Sequence, residues 1–158
     1  MGSNEMKRMM LAMMMAAMVG FVGTAFAVTT KDPLADVKCF LMPQKNIKED
    51  KSVDYKDGKV YFCCPNCVKK FSENKDKYEA KANHQLVLTE QYKQEVCPFS
   101  GGKLDTSTAI EVGGTKVCFC CNNCKGSAEK MAEEERVEKI FGKEGFEKAK
   151  FAKVKKEK

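Results

Sequence analysis

The nine cysteines of this 158-residue chain are the side chains best placed to do chemistry, and they are clustered. Val60 to Cys67 reads VYFCCPNC, and Val117 to Cys124 reads VCFCCNNC, identical at six of eight positions. A lone cysteine precedes each cluster, Cys39 in the first case and Cys97 in the second. Thiols can pair with one another, attack a substrate or hold a soft metal. Simple stapling by disulfides fits the pattern poorly. Nine is an odd number, and neighbours such as Cys63 and Cys64 cannot pair without strain. Disulfides also stabilise most when they close long loops.

Metal binding explains the spacing better. A thiolate at a helix N-terminus meets unpaired N–H groups and the positive end of the helix dipole, and the thiolate is the form that binds metal. If the chain brings Cys39 to Cys63, Cys64 and Cys67, and Cys97 to Cys120, Cys121 and Cys124, each copy offers up to four soft ligands. Four suit tetrahedral Zn²⁺; three suit trigonal Cu(I) or another thiophilic ion. Adjacent cysteines rarely both reach one ion, so either member of each pair is open as the ligand. Eight of the ten methionines fall in the first 27 residues, leaving Met42 and Met131, which excludes a methionine-rich copper site. His84, the sole histidine, is a possible fourth ligand or a polar loop residue.

The elements that must position these thiols can be read in both copies. After the lone cysteine come polar, turn-prone residues, then a short strand, Ser52–Tyr55 or Ala109–Val112. Asp57-Gly58 or Gly113-Gly114 supplies a two-residue hairpin turn. The returning strand, Lys59–Phe62 or Lys116–Phe119, delivers the chain into the cluster, and a helix follows. Val68, Phe71 and Tyr78 share a face in the first copy, and Ala128, Met131 and Ala132 in the second. This order resembles a treble-clef-like unit, and predicts an α+β fold of two small modules with a helical C-terminus. Between the copies, residues 83–96 are expected to form a connecting ribbon, with strands near Gln85–Thr89 and Tyr92–Val96. Val137, Ile140, Phe141, Phe146 and Phe151 fit one or two closing helices, broken near Gly142 or Gly145. Modules this small need a staple, and structural zinc supplies about 10–16 kcal/mol of apparent binding energy.

On these residues the chain resembles the TRASH and YHS-like domains, a family associated with heavy-metal binding, trafficking and sensing. The resemblance covers 37–78 and 96–131, and implies Cys39, Cys63 and Cys67 as ligands in one copy and Cys97, Cys120 and Cys124 in the other. Cys64 and Cys121 are additions to that three-cysteine pattern. Cys118 is a departure, standing where the first copy has Tyr61. On a strand it would share a face with Cys120, so the second copy is expected to bind differently or to form a disulfide.

The remaining sequence bounds the setting. Lys7 and Arg8 precede an apolar run from Met9 to Ala27 that ends Ala25-Phe26-Ala27, the pattern of a cleaved signal peptide. The expected parts are therefore a leader at 1–27, a first module at 28–82, the ribbon at 83–96, a second module at 97–132 and a C-terminal extension at 133–158. Export to a periplasm or to the outside follows, with no membrane association after cleavage. The net charge of +6 is spread over mixed Lys/Glu runs that mark solvated helix faces, not a nucleic-acid stripe. No paired acids, phosphate loop or Cys-x-x-Cys-His haem motif appears. The chain reads as a non-catalytic metal-binding protein holding Zn²⁺ or Cu(I), for storage, delivery, sensing or structural support, with a metal-handling partner protein conceivable. A disulfide- or zinc-stabilised interaction module and a thiol–disulfide oxidoreductase are the alternatives.

Overall fold

The computed structural model describes residues 32–155; the expected leader lies outside them. A small ribbon comes first, β1 (Lys38–Cys39) against β2 (Met42–Asn46). The first long hairpin pairs β3 (Lys48–Tyr55) with β4 (Gly58–Phe62), and Tyr55 stands opposite Gly58. Its loop is thus Lys56-Asp57, one residue earlier than the sequence suggested, with Lys56 at φ 52°. Gly58 has another task. A Cβ there would meet Gln91 Oε1 at 2.7 Å and Leu86 Cδ2 at 2.8 Å, so the glycine permits close packing from the following helix and loop. The second hairpin, β6 (Asp105–Val112) with β7 (Thr115–Phe119), turns at Gly113-Gly114 as expected. Both glycines take the positive φ, 57° and 82°, that a two-residue loop favours.

Each hairpin runs directly into a helix, α1 (Pro65–Glu73) in the first copy. Proline at its first turn loses no hydrogen bond there, and Cys67 and Phe71 face inward. Tyr78 falls in a separate 3₁₀ turn, Asp76–Tyr78, beyond the helix end. The expected ribbon is not a strand where it was placed. Glu79–Leu88 is a helix, α2, and only Tyr92–Lys93 (β5) is extended. Its inward residues are Ala80, Ala82, Asn83, Gln85 and Leu86. Two of these five are polar amides, which conceals the helical period from any reading of hydrophobicity. In the second copy α3 (Asn122–Glu129) buries Ala128, while Met131 and Ala132 lie past its end. Then come α4 (Glu133–Phe141) and α5 (Lys143–Lys148), broken at Gly142 as expected, and a final strand β8 (Ala152–Lys153).

The architecture is α+β, and its two halves run in the same order: hairpin, helix at the cysteine cluster, further helix, short strand. Corresponding parts then meet each other. Helix α2 packs on α4, and β5 pairs antiparallel with β8, Tyr92 opposite Lys153. The core between the halves contains Leu86, Tyr92, Ile140, Phe141, Phe146 and Phe151. Phe146 stacks on Phe151 at 4.7 Å between ring centroids. Under the first hairpin Phe62 packs on Phe71 at 5.2 Å and on Phe40 at 5.4 Å. Among the described residues no helix is long and apolar enough to cross a membrane.

Three glutamines close the free edges of the hairpins. Gln85 accepts from the Tyr61 N–H at 2.6 Å and donates to the Tyr61 carbonyl at 3.0 Å. Gln91 does the same at Lys59, at 2.7 Å for both bonds. Gln94 accepts from the Cys118 N–H at 3.0 Å and donates to its carbonyl at 2.8 Å. A side-chain amide has the donor and acceptor of a peptide group, so each glutamine supplies one rung of a missing strand. Through them the segment from 85 to 94 holds both hairpins.

Candidate metal centre

Phe62 and Phe119 are fully buried at the ends of β4 and β7, which fixes where the chain leaves each hairpin. The bulged start of the second hairpin is repaired by Thr108. Its hydroxyl donates to the Phe119 carbonyl at 2.7 Å and accepts from the Phe119 N–H at 3.0 Å. The next residue in each copy is the first clustered cysteine, Cys63 or Cys120. Cys64 and Cys121 then cap the helices with extended backbone, φ −158° and −165°. Cys67 and Cys124 fall in the first turns. The lone Cys39 and Cys97 are fully buried against the same ends of the hairpins.

The result is two triads, Cys39 with Cys63 and Cys67, and Cys97 with Cys120 and Cys124. Within each, all three sulfurs lie within 4.8 Å of one another. Cys63 Sγ is 3.8 Å from Cys67 Sγ, and Cys120 Sγ is 3.7 Å from Cys124 Sγ. Metal–sulfur bonds of about 2.3 Å require sulfurs about 3.8 Å apart in a tetrahedron and about 4.0 Å apart in a trigonal plane. The donor sets fit an ion of either geometry. All nine cysteines are free thiols. The first triad is entirely buried; in the second only Cys97 is, and Cys120 and Cys124 are half-buried.

Packing thiols together opposes their ionisation. Burial, followed by hydrogen bonding among the neighbouring thiols, pushes Cys67 far above the usual range and Cys124 up to about 12. Burial also raises Cys63. Cys97 behaves differently. Its burial acts upward, but hydrogen bonds from the Ser100 hydroxyl and from the N–H groups of Ser100, Phe99 and Cys120 outweigh it and bring the thiol to about 6. The loop makes this possible by folding around the sulfur: the Cys97 N–H donates to Gly102 O at 2.9 Å, and the Gly101 N–H to Cys97 O at 2.8 Å. These donors hold the Cys97 thiol toward its ionised form. An ion entering either site must displace the protons of the others.

No family model matches the chain, and no curated protein or solved structure matches it. Cys64 and Cys121 stand beside the triads, not in them. Cys64 Sγ is 3.5 Å from Cys67 Sγ, and Cys121 Sγ is 3.7 Å from Cys120 Sγ. The N–H groups of the helical first turn hold both thiols below their ordinary range, that of Cys67 for Cys64 and that of Cys124 for Cys121. Cys121 is exposed.

Cys118 does not join Cys120. It lies half-buried on β7 between inward Val117 and Phe119, and lines a surface hollow with Tyr92, Gln94 and Lys116. Cys120 has left the strand by one residue, so the alternation that would have put both sulfurs on one face no longer applies. His84 is neither a loop residue nor close to a triad. It sits on α2, with Nε2 3.2 Å from Val112 O and 3.1 Å from Thr115 Oγ1, and its ring 4.7 Å from Phe141. Burial holds its pKa below the ordinary value.

Two kinds of residue escaped the reading from sequence. Ser100, whose hydroxyl lies 3.0 Å from Cys120 Sγ, was legible only as a position three residues beyond a lone cysteine. The bridging glutamines have no local signature, because their partners are backbone groups 24 or 32 residues away.

Proposed function

We propose that this is an exported, non-catalytic protein that binds one soft metal ion, Zn²⁺ or Cu(I), in each of two treble-clef-like modules related to the TRASH and YHS-like domains. Its work is metal storage, delivery, sensing or structural support. The observation that carries the reading is the recurrence of one donor set. Two hairpin–helix junctions, built from different neighbours, both gather a lone cysteine and two clustered ones within 4.8 Å. Burying unpaired thiols side by side offers no packing advantage over apolar residues of similar size, whereas a cation held among three thiolates offsets their negative charge. The Cys64–Cys67 approach of 3.5 Å also supports a second reading, thiol–disulfide exchange at a Cys-x-x-Cys helix start.

Single substitutions separate the two. Cys67→Ser and Cys124→Ser should each remove one metal equivalent from protein prepared under reducing conditions. Each should also speed amide hydrogen exchange in its own hairpin and cluster helix, and spare α2 and α4. Cys64→Ser should keep the metal. Full metal content in the Cys67 and Cys124 variants, with disulfide reductase activity lost from Cys64→Ser, would reverse the order of the two readings.

A further inference from the structure

Beyond its three sulfurs, a tetrahedral ion has one position left to fill, and the two copies present different chemistry there. Three residues on from the lone cysteine stands Met42 in the first copy and Ser100 in the second. The Ser100 hydroxyl is held at the triad from two sides: Oγ lies 3.0 Å from Cys120 Sγ and accepts the Gly102 N–H at 3.1 Å. Gly102 makes room for this. A Cβ there would stand 3.2 Å from Cys120 Cβ and 3.3 Å from Ser100 Oγ.

In the first copy Met42 is the cross-strand partner of Cys39 in the β1–β2 ribbon. Directly opposed residues of an antiparallel pair project on the same face with Cβ atoms about 5 Å apart, so the Met42 side chain leaves the ribbon on the side of Cys39. Met42 is also 38% exposed, the large apolar side chain left in water among the described residues. It contributes nothing to the core, and its unbranched chain is adaptable enough to turn toward a neighbouring ion.

We propose that this register position sorts the two sites by metal: Met42 makes the first site select Cu(I), and Ser100 makes the second select Zn²⁺. The proposal rests on the metal-binding reading above. A thioether is a soft donor suited to Cu(I) and is absent from the usual zinc donors, thiolate, imidazole and oxygen; a hydroxyl oxygen is the harder of the two donors and favours the divalent ion. No electrons move; both ions keep their charge, and only thiol protons are released.

The test uses the full chain, reduced and free of metal, given one equivalent each of Zn²⁺ and Cu(I) without oxygen. Occupancy is read as protection of individual cysteines from alkylation, with native mass spectrometry for stoichiometry. Cu(I) should protect Cys39, Cys63 and Cys67, and Zn²⁺ should protect Cys97, Cys120 and Cys124. Met42→Leu, which keeps the shape and removes the sulfur, should lower the Cu(I)-over-Zn²⁺ preference of the first site toward that of the second. Ser100→Met should shift the second site toward Cu(I). Even distribution of both ions in the parent protein, or a partition unmoved by both substitutions while two ions still bind, overturns the sorting and leaves the metal reading intact. Failure of the parent protein to take up either ion overturns both.

Discussion

The thiols of the two sites meet different hydrogen-bond surroundings, and this has a measurable consequence. Cys97 is brought to about 6 by donated hydrogen bonds, while Cys124 is pushed up to about 12. No comparable set of donors counters the burial that raises Cys63 and Cys67. A ligand raised in the free protein must lose its proton on binding, so affinity climbs with pH until the thiol ionises by itself; a ligand already lowered adds no such climb. At pH 7, filling the first site should therefore release more protons per ion than filling the second. The dependence of affinity on pH should be correspondingly steeper for the first. Calorimetric titrations of Cys67→Ser and Cys124→Ser, each with one site left, in buffers of differing ionisation enthalpy measure this directly. Equal proton release from the two would mean that the donated hydrogen bonds at Cys97 do not distinguish the sites.

At the level of elements, what holds each cluster in place is a hairpin whose outer edge is closed by side-chain amides. Gln85 is almost fully buried, and both its bonds go to Tyr61 backbone atoms. Gln85→Ala would leave the partly buried N–H and carbonyl of Tyr61 without these partners, a loss of about 1 kcal/mol. Gln94→Ala should cost less, because Gln94 is only half-buried. Urea unfolding of the metal-free protein compares them, and equal stability of Gln85→Ala and the parent would rule out the strand-like role. This element also shows where reading a sequence succeeds and where it does not. The second hairpin was legible to the residue in its Gly113-Gly114 loop, because glycine takes positive φ twice in succession without steric cost. The first was displaced by one position, because Gly58 is required by the packing of Leu86 and Gln91, a tertiary contact. Helix α2 was read as a strand because its buried face carries Asn83 and Gln85 for long-range hydrogen bonds. A hydrophobic period cannot register inward polar residues whose partners are distant backbone groups.

Across the whole molecule, the halves are joined by the pairing of equivalent elements, α2 on α4 and β5 on β8, so each module has a neighbour's core to lean on. That each lone cysteine meets its cluster was legible because lone cysteine, hairpin and cluster recur in one order; which member of each adjacent pair joins the triad was not, nor were the distinct surroundings of Cys118 and Ser100, since they depend on where the chain leaves each hairpin. The wholly buried first triad and the half-open second one predict an order of release. A chelator should strip the second site first, with the alkylation of Cys120 and Cys124 preceding that of Cys63 and Cys67. Simultaneous loss would mean that the shared core couples the two sites.

Metal content is the property on which two cysteine triads of this geometry differ from a disulfide-held fold. Full-length protein, purified without chelator under reducing conditions and offered Zn²⁺ or Cu(I), should carry two ions per chain in native mass spectrometry, one fewer in either Cys67→Ser or Cys124→Ser, and none in the double variant. Protein that stays metal-free after both ions have been offered, and whose fold responds to reductant but not to chelator, would contradict the metal-binding reading.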